Sequence, residues 1–335
     1  MSTPYLLPLP GLREDNPRDF LAALGLLYCL NRCFPATPSS LAWPALEGAA
    51  TVSMPSQISE SWSVQICAWV KHQFSKDDLE SELRESLHDQ LAIEYASTIF
   101  GSLRREIRIN RLVFAPTAKI SPEVRRRLFI ATRKIQETDP ADPTIDLHAA
   151  LMSQVQNEDP DSKKRVFSSI SSLSMANKQG QKYLLFGAQQ IALKHLDPAS
   201  LKASIDGTGV KISEAPNLRL SHEEGRDAAY FGAVPEFSDY PAFNILAFFG
   251  LSFYPVIERL DVAVTSGFLK ESFRWPSWDR PLTEEVLKTL LAHHAIFSPK
   301  LDPKALAALG VCQVWESRRY EANKSLFFAR AKPCY

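Results

Sequence analysis

The spacing of hydrophobic positions changes along the chain. In the first half, apolar residues recur at helical spacing, and residues 20–30 are apolar on nearly every face, which predicts a helix in the core. Asn16, Pro17 and Asp19 are typical of a helix start, because they supply a cap, a preset φ angle and a negative charge at the positive helix end. Gly25 lies inside this helix and costs about 1 kcal/mol relative to alanine. We therefore expect another backbone to pack closely against Gly25.

Further periodic segments predict a helix-rich N-terminal part followed by a mixed part. Helices are predicted at 77–100, 122–134, 145–156, 181–195 and 283–293, and residues 156–162 are predicted to form a polar loop. Short apolar runs with turn residues between them predict strands at 41–43, 50–54, 262–265, 268–275, 311–318 and 324–330. The fold class is therefore predicted as α+β, with a helix-rich domain over 1–160 and a mixed, antiparallel-sheet domain over 161–335.

Composition is that of a soluble protein. The 335 residues are enough for about two domains. No apolar run approaches the roughly 18 residues that cross a bilayer, and no signal sequence is recognised, so no membrane partner is expected. Five scattered cysteines argue against a disulfide framework and favour a reducing, cytoplasmic location.

Charge is distributed very unevenly along the chain. The 38 basic and 38 acidic residues balance overall, yet residues 100–135 contain ten basic residues and only two acidic ones. Acid-rich segments lie on both sides, at 77–94 and 137–161. A locally basic segment in a neutral protein indicates a face that binds a polyanion. The alternative interpretation is that acidic and basic helices pair with each other.

The basic segment supplies most of the candidate nucleic-acid-binding residues. Arginine predominates there, and its guanidinium group matches phosphate oxygens in two directions. Arg126 and Arg133 lie seven residues apart in the predicted helix and therefore share a face. The candidates from this segment are Arg104, Arg105, Arg108, Arg111, Arg126, Arg133 and Lys134.

A second, smaller basic cluster follows the acidic segment. It consists of Lys163, Lys164 and Arg165, with Lys178 and Lys182 further on in a glutamine- and asparagine-containing loop. Amide and ammonium groups can both contact a nucleic-acid backbone. An ordinary solvated loop is the alternative interpretation of the same residues.

No catalytic or metal-binding pattern is found in the sequence. Cys29 and Cys33 are four residues apart without a second pair of ligands at zinc-site spacing. Neither a phosphate-binding glycine loop nor a G-x-S-x-G elbow is present. We therefore predict a protein that is not an enzyme, with no catalytic residues, no metal and no cofactor. An enzyme whose residues meet only in the folded protein is the alternative.

Several segments together resemble a known group of proteins. Residues 11–17 leading into 20–27 resemble the opening of accessory and large-subunit proteins of type I-G (formerly I-U) CRISPR effector loci. Residues 226–230 and 244–251 with Pro255 are similar to the middle of that group. The C-terminal similarity lies in 265–268, 274–278 and 309–311, before Arg318 and Arg319.

The resemblance implies a subunit of an RNA-guided, DNA-targeting (Cascade-like) complex. Such a subunit would contact CRISPR RNA or target DNA through the backbone, because base pairing supplies the sequence specificity. Other effector-complex subunits would be its protein partners. In the alternative function that the resemblance implies, the protein is an adaptor that recruits the helicase-nuclease. The shared motifs are mainly apolar, and no catalytic residue is carried over from the group.

Overall fold

The computed structural model describes most of the chain. The described residues are 4–43, 49–76, 80–83, 85, 122–151, 156–158, 165–167, 171–173, 175, 180–213, 215–223, 239–259, 262–322 and 325–335. Within these ranges, no helix combines the length and the apolar character that crossing a bilayer requires.

Helices occur throughout the described ranges. They are α1 Pro17–Cys33, α2 Trp62–Ser75, α3 Pro122–Thr138, α4 Thr144–Leu151, α5 Gly180–Gln190, α6 Pro198–Ile205, α7 Pro241–Gly250, α8 Glu284–Leu291 and α9 Pro303–Ala308. Helix α5 continues into a π-helical turn at Ile191–His195, and single 3₁₀ turns occur at Ser56–Ile58 and Leu251–Phe253.

The strands pair in an antiparallel manner. They are β1 Tyr5–Leu9, β2 Ser40–Trp43, β3 Ala50–Met54, β4 Gln156–Glu158, β5 Arg165–Phe167, β6 Val256–Arg259, β7 Val262–Thr265, β8 Phe268–Leu269, β9 Ser272–Thr283, β10 Val311–Ala322, β11 Ser325–Phe328 and β12 Lys332–Pro333. The main sheet has the order β1-β3-β2-β9-β10-β11, with β8 on β9 and β12 on β10. The pairs β4-β5 and β6-β7 form separate hairpins.

The α+β fold class is confirmed by this combination of helices with an antiparallel sheet. The division into domains at residue 160 remains a prediction. The main sheet itself joins both ranges, because β2 pairs with β9 in the register Leu41↔Leu282. Tryptophans from both parts surround Phe20 of α1, whose ring lies 5.5 Å from Trp43 and 5.7 Å from Trp275.

Helix α1 forms the centre of the core together with α7. Asn16 caps α1 as predicted, and its side chain accepts a hydrogen bond from the backbone N–H of Arg18 at 3.1 Å. The close backbone approach expected at Gly25 is confirmed. A Cβ atom there would lie 2.6 Å from the carbonyl carbon of Leu246, and one at Gly250 would lie 2.8 Å from that of Leu21. The two helices therefore touch through paired glycines.

A buried ionic cluster joins the starts of α1 and α7. Arg18 is 3% exposed and forms ion pairs with Asp19 and Asp239. Asp239 also accepts a hydrogen bond from the Asn244 side chain at 2.9 Å. The guanidinium of Arg18 lies over the ring of Phe243 at 5.3 Å. Charge pairing therefore fixes where the two helices begin relative to one another.

Two local differences from the sequence predictions have clear physical causes. Residues 156–158 form β4, which pairs with β5 where a polar loop was predicted. Strand β9 extends to Thr283, whereas the predicted strand in this region ended at residue 275. Pairing with β2 extends the strand, since Ser40 is the register partner of Thr283. Helix α8 then begins at Glu284, with Thr283 as its cap residue.

Candidate nucleic-acid interface

Helix α3 is amphipathic, and its buried side faces the protein. Val124, Leu128 and Thr132 are buried, and their four-residue spacing places them on one side of the helix. Ala131 and Ile135 are half-buried beside them. These five residues orient the helix, and the opposite side faces solvent.

The solvent side of α3 carries cations together with large apolar side chains. Arg126, Arg133 and Lys134 are exposed, as a binding face requires. Phe129 is 53% exposed and Ile130 is 45% exposed. We refer to these five residues as the α3 face. Arg126 and Arg133 lie about 10 Å apart along the helix axis, at 1.5 Å per residue.

Acidic partners neutralise the α3 face only weakly. Arg133 forms an ion pair with Glu137 at 3.6 Å, in which the arginine side chain is 72% exposed. Among the described residues, no acidic side chain forms an ion pair with Arg126 or Lys134. Exposed pairs contribute roughly 0–1 kcal/mol, so Arg133 remains available to an anionic ligand.

The alternative of pairing between acidic and basic helices has some basis in the structure. Arg127 of α3 forms an ion pair with Glu82 of the preceding acidic segment at 3.4 Å. The Glu82 side chain is largely exposed, so this contact is weak as well. Arg127 lies about 100° around the helix from Arg126 and about 20° from Lys134, so the pair borders the Lys134 edge of the α3 face and leaves Arg126 and Arg133 open.

The other predicted site residues fall largely outside the described ranges. Those outside are Arg104, Arg105, Arg108, Arg111, Lys163, Lys164 and Lys178. The backbone places Arg165 in β5 as the register partner of Glu158, and it places Lys182 in the first turns of α5. Their proposed roles stay predictions.

The apolar members of the α3 face, Phe129 and Ile130, were not among the site residues predicted from the sequence. Large apolar residues of a helix usually pack inward, so exposure of Phe129 and Ile130 is not the ordinary expectation. Their positions contain a usable signal, however. Each lies three or four residues from Arg126 and Arg133, and both lie away from the Val124 and Leu128 side of the helix.

Three cysteines come together between α1 and α2. Cys29 and Cys67 are buried, and the thiol of half-buried Cys33 donates to the backbone carbonyl of Gln65 at a sulfur–oxygen distance of 3.7 Å. Burial and the neighbouring Cys67 raise the pKa of Cys33 to about 12. In the part of the chain that the structure describes, no group of histidine, cysteine and acidic side chains is arranged to hold a metal ion.

We expect the thiol of Cys33 to react slowly with iodoacetamide in the folded protein. At pH 8 the thiolate fraction falls from about a quarter, for a thiol with a pKa of 8.5, to about one in ten thousand at a pKa of 12. Labelling should therefore keep increasing with pH beyond pH 9.5, where the unfolded chain in urea levels off. Peptide mass spectrometry measures both rates. Equal labelling of Cys33 in the folded and unfolded chains would contradict this environment.

A surface cavity of about 560 Å³ lies between the outer end of β9 and α9. Its polar lining includes Asp279, Arg280 and the thiol of Cys312. Burial and then the charge of Asp279 raise the pKa of Cys312. A nucleophilic cysteine requires the opposite shift. This cavity is therefore poorly suited to thiol catalysis.

Comparisons with known proteins leave the chain without an identified relative. The sequence matches no protein-family model, no curated protein is significantly similar to it, and no solved structure matches its fold.

Proposed function

We propose that this protein binds nucleic acid without catalysing a reaction, as a subunit of an RNA-guided interference complex. The observation that carries the proposal is the exposure of Arg126, Arg133 and Lys134 on one side of α3. The sequence resemblance to CRISPR effector proteins supports the same function. CRISPR RNA and target DNA are the proposed ligands, and other subunits of the complex are the proposed protein partners.

The charge of α3 favours a polyanionic ligand. The helix contains five basic and two acidic residues, a formal net charge of +3, within a chain whose total is zero. Binding would release counterions from phosphates, so affinity should fall steeply with salt. The nucleic-acid backbone would be contacted irrespective of sequence, because these side chains recognise phosphate rather than bases.

Neutralising the α3 cations should weaken binding and reduce its salt dependence. We expect the triple variant Arg126→Gln, Arg133→Gln, Lys134→Gln to lower the salt slope for a single-stranded 20-mer by about 2, at roughly 0.7 per phosphate contact. Fluorescence anisotropy of a labelled oligonucleotide across a salt series measures affinity and slope together.

The matched control removes three cations elsewhere on the surface. Arg280→Gln, Lys300→Gln and Lys304→Gln make the same change in net charge at exposed positions near α9. This control should bind nearly as the parent does. Equal losses in both triple variants would mean that only total charge matters, and an unchanged slope in the α3 variant would exclude the α3 face as the binding surface.

An adaptor that recruits the helicase-nuclease is the second candidate function, and the edge of the main sheet favours it. Among the described strands, β1 ends the sheet, so none of them pairs with its outer side, and a strand from another chain can be added there. Leu6 on this strand is 57% exposed. The protein is affinity-purified from a lysate whose nucleic acid has been digested. Co-purification of the helicase-nuclease with the parent, and its absence with Leu6→Lys, would favour the adaptor. Recovery of CRISPR RNA with backbone subunits would favour the first function.

A further inference from the structure

An aromatic ring lies between the two arginines of the α3 face. Phe129 follows Arg126 by three residues and precedes Arg133 by four, so its backbone lies about 4.5 Å from the first and about 6 Å from the second along the axis. About half of its surface faces solvent. The described part of the chain therefore places an exposed ring within a stripe of cations.

Exposure of this ring is not explained by packing of the helix. Helix α3 already buries Val124, Leu128 and Thr132 on its other side. Exposing a phenylalanine is unfavourable because its apolar surface remains in water. Ile130, which is also exposed, extends the apolar surface beside the ring. The combination gives the cations of the α3 face a flat apolar platform.

The chemistry of the platform distinguishes between two kinds of nucleic acid. In a duplex, the flat faces of the bases are covered by their neighbours, and an approaching helix contacts base edges and phosphates. Unpaired bases have free faces, which stack on aromatic side chains while nearby cations contact the backbone. An exposed Phe129 between two arginines is useful to a single strand and of little use to a duplex.

We propose that the α3 face binds single-stranded nucleic acid, with a base stacked on Phe129 and the backbone held by Arg126 and Arg133. This inference rests on the proposed function and specifies its ligand as an unpaired strand. The stacking surface is independent of base identity, because every base has a π face. Both single-stranded RNA and single-stranded DNA therefore fit the chemistry.

The test compares single-stranded and duplex probes with the full-length protein. Labelled 20-mers of RNA and of DNA are titrated by anisotropy, as single strands and as duplexes of the same sequence. We expect single strands to bind more tightly. Phe129→Ala and Phe129→Leu should each weaken single-strand binding about 5- to 100-fold and change duplex binding less than about twofold. Comparison of the RNA and DNA arms identifies the preferred strand chemistry.

Two further variants separate stacking from other effects of the substitution. Phe129→Tyr keeps an aromatic ring and should retain the parent affinity. Ile130→Ala removes a neighbouring apolar side chain and should have the smaller effect. The salt slope should be the same in Phe129→Leu as in the parent, because the ring carries no charge. Circular dichroism confirms that each variant is folded.

Several outcomes would overturn the inference. Full affinity in Phe129→Leu would show that apolar area, and not an aromatic ring, is what the ligand contacts. Duplex binding as tight as single-strand binding would reject the unpaired strand and leave the proposed function intact. Absence of salt-dependent binding to any probe would reject the proposed function itself. Binding of a polyglutamate peptide with the same dependence on Phe129 would assign the face to an acidic protein.

Discussion

Replacing Gly25 with alanine is expected to destabilise the protein by about 3 kcal/mol or more. The new methyl group would overlap the backbone of α7, since its carbon would lie 2.6 Å from the carbonyl carbon of Leu246. Backbone atoms cannot rotate away as side chains do, so the two central helices would have to separate. The midpoint of thermal unfolding, followed by circular dichroism, should fall by at least about 4 °C, at roughly 2.1 cal/mol/K of unfolding entropy per residue.

The structure offers two informative controls for this prediction. Gly250→Ala places a methyl group in the same contact from the other helix. The new methyl carbon would lie 2.8 Å from the carbonyl carbon of Leu21. The variant should destabilise the protein comparably. At Gly187 in α5 the closest atom is the Leu218 side chain, which can move, so Gly187→Ala should change stability by no more than about 1 kcal/mol. Similar midpoints for all three variants would contradict the paired-glycine contact.

Local sequence signals predicted many helices and strands well. The cap at Asn16 and the proline after it identified the start of α1, because capping depends on residues that are adjacent in sequence. Gly25 indicated a close backbone partner, because a glycine inside a predicted helix is also a local signal. The identity of that partner, α7, could not be predicted, because the packing joins residues more than 200 positions apart and leaves no periodic signal.

Long-range pairing also explains where the predictions were wrong. The strand predicted in this region ended at residue 275, but the pairing of Ser40 with Thr283 extends β9 to Thr283. Tertiary contacts of this kind override local propensity. Residues 156–158 likewise form a strand only because 165–167 pair with them.

The candidate site was predictable in its charge and not in its shape. The shared face of Arg126 and Arg133 followed directly from helical periodicity. Exposure of Phe129 depends instead on which side of α3 the rest of the protein covers, and Val124 and Leu128 occupy that side.

Replacing Arg18 with methionine is expected to cost about 3–5 kcal/mol, because it leaves buried carboxylates without their cation. Burial raises the pKa of Asp19, and Arg18 opposes that rise. The pKa of Asp19 is already above its unfolded value, and without Arg18 it should rise further. The variant would then lose most stability at neutral pH, and its deficit relative to the parent should shrink as the pH falls through the raised pKa.

Arg13 provides the matched control for Arg18. It lies in the same region and pairs with Asp15 at 3.1 Å and Glu223 at 3.0 Å, but its side chain is about half exposed. Arg13→Met should therefore cost no more than about 1 kcal/mol. Urea unfolding of both variants at pH 7.5 and pH 5 measures the loss of stability in each variant and how that loss depends on pH. A pH-independent deficit in the Arg18 variant would mean that lost packing, and not the unpaired carboxylates, causes the destabilisation.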